Sequence, residues 1–212
     1  MSNGYGLGNH ITTNSLTIYM KSICVFCGSS EGNDPQIITK AEELGKTLAS
    51  ENITLIYGGA KRGVMGKLAN AALAQKGNVI GIIPGFLKTK EVVHLGLPEL
   101  ITVENMHERK LKMQQMSDGF ITLPGGFGTM EELFEIITWG QLGLHSKPIG
   151  LLNINGFYDP LITLLEQMVK RGFLSMENYK MLLVDDDVNR LLEKMRNFKP
   201  LPAPKWLKPE KT

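Results

Sequence analysis

Short apolar runs alternate with stretches of helical periodicity along almost the whole chain. The strand-like runs are 22–27, 54–57, 79–83, 100–103, 119–123, 148–152 and 181–184. Helical patterns fall between and after them, at 35–50, 64–75, 106–116, 130–142, 160–171 and 188–195. Continuous apolar strands separated by amphipathic helices mark a parallel sheet buried on both faces. Its crossovers are expected to be right-handed. The pattern predicts an α/β fold: Rossmann-like and doubly wound, with a mainly parallel sheet, helices on both faces, and a single domain. Local chemistry supports the boundaries. Asn155-Gly156 signals a turn, Asp159 is placed as an N-cap before Pro160 at the first helical position, and Gly172 sits where a helix C-terminus needs glycine.

Composition bounds this picture. A 212-residue chain with 42% hydrophobic residues can bury a full core without disulfides or metals. The net charge of +2 is too small for a nucleic-acid footprint, and no apolar run is long enough to span a bilayer. Residues 1–19 are polar and glycine-rich and lack the pattern of a secretory signal; they are expected to form a flexible N-terminal extension. The domain is expected over 20–197, and 198–212 form a Pro/Lys-rich C-terminal tail that cannot be helix or central strand. Cys24 and Cys27 have the spacing of a redox pair but lie inside a strand-like run, so they read as small buried hydrophobes. Few cysteines and no signal point to the reducing cytoplasm.

Ligands of open α/β sheets sit outside the carboxyl ends of the strands. Three glycine-rich stretches fall at such ends: CGSS (27–30), YGGAKRGVMG (57–66) and LPGGFGT (123–129). Together they suggest a crevice where backbone approaches a ligand closely, with Gly28, Ser29, Gly58 and Gly59 contributed by the first two. None ends in the Gly-Lys-Ser/Thr of a Walker loop. The closest approach to a dinucleotide fingerprint, Gly126 to Glu131, has glutamate in place of its last small residue and comes late in the chain. His10, His94, His107 and His145 are dispersed without metal-ligand spacing, so no metal is expected.

Two segments carry candidate chemistry. Thr129-Met130-Glu131-Glu132 has the form of a capping box, with Thr129 as N-cap and Glu132 reaching back to its amide. The helix field there would favour an ionised Glu132, suited to a base or an electrostatic stabiliser. In MHERKLKMQQM, Met106, Arg109, Met113 and Met116 share one helical face. An arginine in an apolar stripe either pairs structurally or aims its planar fork at an anion.

The stretches CVFCGSS, YGGAKRGVMG, GIIP, MHERK and LPGGFGTMEE, in this order, resemble the LOG (Lonely Guy) family of cytokinin riboside 5′-monophosphate phosphoribohydrolases, often labelled lysine decarboxylases. The resemblance runs from about Lys21 to near Met195. It departs at Phe127, where many relatives carry tyrosine. It implies hydrolysis of the N-glycosidic bond of a purine nucleoside 5′-monophosphate, without a cofactor, by a homodimer with its site near the interface. The decarboxylase label requires a Schiff-base lysine, and no lysine here has a context that argues for one. Carried over by position, the substrate contacts are Glu91, Arg109, Lys110, Gly125, Gly126, Phe127, Gly128, Thr129, Met130, Glu131, Glu132 and Thr138, with Arg109 and Glu132 as the catalytic pair. Two alternatives stay open at this point: a hydrolase of plain AMP or related nucleotides, and a nucleotide-binding module without catalysis.

Overall fold

The computed structural model describes residues 18–88 and 92–202. Seven strands form one sheet: β1 (Ser22–Phe26), β2 (Thr54–Tyr57), β3 (Val79–Pro84), β4 (Glu99–Val103), β5 (Gly119–Thr122), β6 (Ile149–Leu152) and β7 (Leu182–Asp185). Their order is β4-β3-β2-β1-β5-β6-β7, and every pairing is parallel. The helices are α1 (Pro35–Ser50), α2 (Gly63–Ala74), α3 (Met106–Met116), α4 (Phe127–Gln141), α5 (Asp159–Lys170), α6 (Met176–Tyr179) and α7 (Val188–Arg196). This is the doubly wound α/β fold that the hydrophobic pattern predicts.

Alternation along each strand divides the core into two layers. Val25, Leu55 and Ile121 point to one face and meet Leu44, Leu68 and Leu191 of α1, α2 and α7. Cys24, Phe26, Ile56 and Phe120 point to the other and meet Met113, Leu133 and Tyr158. Cys24 and Cys27 therefore belong to opposite layers, and both thiols are free. Burial pushes each thiol well above its ordinary range, as expected of structural cysteines.

Chain direction reverses its sideways progress between β1 and β5, so the switch point of the sheet lies there. The register of this central pair is pinned at its start by Asp118, which accepts bonds from Lys21 N (2.8 Å), Ser22 N (3.0 Å) and Ser22 Oγ (3.1 Å). At the other end the two turns cross, with Gly28 N donating to Pro124 O at 3.1 Å. A Cβ on Gly125 would lie 2.9 Å from Gly28 N, so glycine is what lets the backbones meet.

Most boundaries agree with the sequence expectation to within one residue, and three departures are informative. Helix α4 starts at Phe127, three residues earlier than the apolar periodicity suggests, because Gly126 O already accepts from Met130 N (3.1 Å). Asp159 is the first residue of α5 instead of its cap, which is Tyr158. The one-turn α6, capped by Ser175, is too short to show a period. The start of the tail lies against the protein: Phe198, Pro200, Leu201 and Pro202 line a hollow of about 350 Å³ beside the C-terminal end of α4.

Helices α1 and α2 pack through Gly45, where an added Cβ would fall 2.4 Å from Leu68 O. That neighbour is helix backbone, which cannot move alone. Gly45→Ala should therefore lower the thermal midpoint by roughly 3–6 °C, the helix-propensity gain of up to about 1 kcal/mol being outweighed by overpacking of about 1–3 kcal/mol. Thermal unfolding checks this; an unchanged or raised midpoint would show that the helices separate freely.

Candidate active site

The three glycine-rich turns converge at the switch point and enclose a cleft of about 430 Å³. Such a volume lies within the range of about 300–1,000 Å³ typical of small-ligand sites. Three helix N-termini approach it; that of α3 is capped by the Asn105 side chain, and the other two are in different states. The α2 start is already used: Val64 N donates to Ser30 O (3.4 Å) and Met65 N to Gly28 O (3.3 Å). The α4 start is open. Its cap is Gly126, no side chain caps it, and among the described residues the Phe127, Gly128 and Thr129 amides have no hydrogen-bond acceptor. Open amides at a helix N-terminus form a site for an anion.

The capping-box expectation fails here. Thr129 is the third residue of α4, not its cap, and is buried. Glu132 does not reach back to the Thr129 amide. Its Oε1 instead accepts from Arg109 Nη1 at 2.6 Å, and both residues are 9% exposed. The residue is six positions into the helix, beyond the first turn where the helix field acts. Burial, not the field, is the largest influence, and it pushes the Glu132 carboxyl above the ordinary glutamate range; the Arg109 charge opposes that push.

Arg109 is reached from α3, which Asn105 caps by accepting from Glu108 N (2.9 Å). Its Nε donates to Ile82 O at 3.1 Å, so one edge of the guanidinium is fixed to the end of β3 and another to Glu132. A guanidinium carries five N–H groups, so about three remain for a ligand.

Of the residues that the sequence singles out, Ser29, Gly58, Arg109, Gly126, Phe127, Gly128, Thr129, Glu131 and Glu132 line this cleft. Others stand back from it. Gly28 and Gly125 form the backbone crossing beneath it. Gly59 adopts φ +75° and accepts at its carbonyl from His94 N (2.9 Å). Lys110 Nζ is engaged by Glu131 (2.5 Å) and Glu135 (2.9 Å). Met130 packs into the core layer, and the exposed Thr138 donates its hydroxyl to Phe134 O (2.7 Å). Glu91 lies outside the described residues.

Sequence reasoning missed the apolar wall. Met65, Ile83, Pro84, Leu87 and Val92 line one side of the cleft, and Met106 joins them. Residues 92–94 are held over the second turn by Lys61 N donating to Val92 O (2.9 Å) and by the bridge between Ala60 and Val93. An apolar residue at a strand end looks the same in sequence whether it faces core or cleft. Phe127, by contrast, is 97% exposed at the cleft mouth, and Phe86 is also exposed.

A family model described as possible lysine decarboxylase matches residues 65–195. The chain is 43% identical over 180 residues to the probable cytokinin riboside 5′-monophosphate phosphoribohydrolase LOGL3 of Oryza sativa subsp. japonica, covering 85% of each chain. It is equally identical to the cytokinin riboside 5′-monophosphate phosphoribohydrolase LOG2 of Arabidopsis thaliana, over 85% of this chain and 84% of that one. Among solved structures, a molybdenum cofactor binding protein from Rippkaea orientalis superposes with TM-score 0.62 at 24% identity, over 84% of this chain and 96% of its own. The Moco carrier protein of Chlamydomonas reinhardtii gives TM-score 0.61 at 21% identity, over 83% and 99%. These two likenesses are of fold alone. No lysine is among the described residues lining the cleft, which leaves the decarboxylase description without an amine placed there for a Schiff base.

Removing one member of the buried pair should expose its electrostatics. Arg109→Met strands the Glu132 carboxylate, and a loss of about 2–3 kcal/mol at neutral pH is expected, below the 3–5 kcal/mol of full burial because the cleft admits water. The orphaned carboxyl then has a folded pKa well above its unfolded one. Its penalty therefore applies at neutral pH and fades as pH falls towards the unfolded carboxyl range. Urea denaturation at two pH values tests the sign: a deficit that grows on acidification would contradict this account of the pair.

Proposed function

The chain belongs to the LOG family, and from that premise we propose that it hydrolyses the N-glycosidic bond of an N6-substituted adenine riboside 5′-monophosphate, giving free base and ribose 5-phosphate. The observation that carries this reading is the pairing of a buried carboxylate, Glu132, with Arg109 one and a half helical turns from the open N-terminus of α4. A nucleoside monophosphate needs an anion cradle and, a ribose away, negative charge for its reacting carbon.

In the proposed mechanism the Phe127, Gly128 and Thr129 amides hold the 5′-phosphate. As the bond from C1′ to the purine nitrogen breaks, its electron pair leaves with the base and positive charge grows on the ribose. Glu132 stabilises that charge or orients the water that attacks C1′. The water's proton is released as the base takes one up, so the hydrolysis balances. Arg109 offsets the negative charge of phosphate and carboxylate, or helps the departing purine carry its electrons. The wall of Met65, Ile83, Leu87 and Val92 supports an apolar group on the base.

The reading extends to the assembly and its setting. We take the protein to act as a homodimer with the site near the interface, a reading supported by the exposed aromatic side chains of Phe86 and Phe127 around the cleft. The two free, buried thiols suit a reducing cytoplasm. No described helix is long and apolar enough to cross a membrane.

Incubation with AMP, GMP, CMP and isopentenyladenosine monophosphate, followed by chromatography of the free base, tests the activity. The prenylated nucleotide should lead AMP in kcat/KM by at least about tenfold, the order that a few buried methylenes supply. Base release from none of the four would overturn the hydrolase reading. Glu132→Gln keeps the shape of the site and should reduce kcat by about 10²-fold or more while the protein stays folded.

A further inference from the structure

The Arg109 guanidinium lies where a side chain on Gly58 would be. A Cβ added at Gly58 would stand 2.5 Å from Arg109 Nη2, closer than such atoms can approach, and 3.1 Å from Met65 Sδ, a tight contact. Gly58 does not have the left-handed backbone that would itself demand glycine, unlike its neighbour Gly59 at φ +75°. Its lack of a side chain therefore answers a need for space, and the space is taken by Arg109. The other contacts of the guanidinium leave it little freedom, since Nε is bonded to Ile82 O (3.1 Å) and Nη1 to Glu132 (2.6 Å).

We propose that Gly58 is a positioning residue for hydrolysis: the bare backbone at the end of β2 is the seat that lets Arg109 lie across the cleft floor and face Glu132. The proposal rests on the hydrolase reading above for its kinetic consequence, but not for its structural one. The colliding atoms are the far ends of two flexible side chains, not backbone. An alanine at Gly58 can thus be accommodated by the fold, and what yields is the place of Arg109. This separates Gly58 from Gly45, where the added atom meets the backbone of α2.

The displacement has a signature in the Glu132 carboxyl. The charged and titratable groups around that carboxyl are Arg109 and Lys110 of α3, Glu131 of α4, and the Cys24 and Cys27 thiols on the β1 side. Only Arg109 touches the Gly58 position. With Arg109 moved away, burial acts on Glu132 with less opposition, so its proton is held to higher pH. If hydrolysis needs the carboxylate, the acid limb of the pH–rate profile moves up with it.

The test compares wild type, Gly58→Ala and Gly85→Ala, the last a control whose added Cβ would meet nothing nearer than 3.9 Å and which does not line the cleft. Gly58→Ala is expected to stay folded, with a melting point lowered by no more than Arg109→Met lowers it, to lose about tenfold to a hundredfold in kcat, and to show its acid limb at higher pH. NMR titration of the Glu132 carboxyl should show the same upward movement without reference to activity. Gly85→Ala should match wild type throughout. A Gly58→Ala protein with wild-type kcat and an unmoved carboxyl titration would overturn the proposal, as would a loss confined to KM with both unmoved. Should wild type release no base, the hydrolase reading falls, and the titration alone decides the role of Gly58. Should Gly58→Ala not fold, adding Arg109→Ala removes the colliding group. A double variant that fails to fold where Arg109→Ala alone folds would also sink the proposal, because the collision would then lie elsewhere.

Discussion

The crossing of the β1 and β5 turns is the constraint from which the rest of the site follows. Strands that run in parallel and then reverse their lateral direction must part at their carboxyl ends, and the parted turns leave a crevice. Gly28 and Gly125 draw the two backbones together beneath it. With that floor fixed, the first turn of α2 closes onto the β1 turn and uses up its own amides. The first turn of α4 is left facing outward with its amides open. Of the α2 and α4 termini only that of α4 is free, and the difference comes from backbone hydrogen bonding, not from any charged side chain.

Charge then enters from two helices that the sheet brings side by side. Arg109 alone would be a buried cation in search of an anion, and Glu132 alone a buried acid driven towards its neutral form. Together at 2.6 Å the Arg109 charge offsets part of what burial costs the Glu132 carboxylate. Beside them Lys110 bonds Glu131 and Glu135 on the outer face of the same two helices. The Arg109–Glu132 pair faces the cleft, and Glu131, which also lines it, has its charge met by Lys110 in a set of bonds that ties α3 to α4. This division of labour explains how adjacent glutamates, Glu131 and Glu132, can sit next to an anion cradle without repelling its ligand.

Much of this was legible in the chain, for definite reasons. Continuous apolar strands and periodic helices follow from burial on both faces of a parallel sheet, so the fold could be read from them. The three glycine turns were visible because they recur at strand carboxyl ends, and the stripe of Met106, Arg109, Met113 and Met116 because arginine is rare in an apolar stripe. The start of α4 was not, since Phe127 and Gly128 carry no apolar period, and a T-x-x-E pattern there resembles a cap whatever its register. Nor could the apolar wall be seen: whether Ile83 or Leu87 faces core or cleft depends on which turn closes over it. The role of Gly58 was hidden for a further reason, because the side chain that needs its space lies fifty-one positions away on α3.

Asp118 has a consequence for the order in which the molecule is made. It clamps the start of β1 from 97 positions downstream, so the two central strands are neighbours in space but far apart in synthesis. The strands β1 to β4 can pair with near neighbours as they leave the ribosome. The β1 edge stays uncovered until β5 arrives, and Glu132 follows only with the helix after it. The site is therefore completed only after the first four strands and their helices have been made.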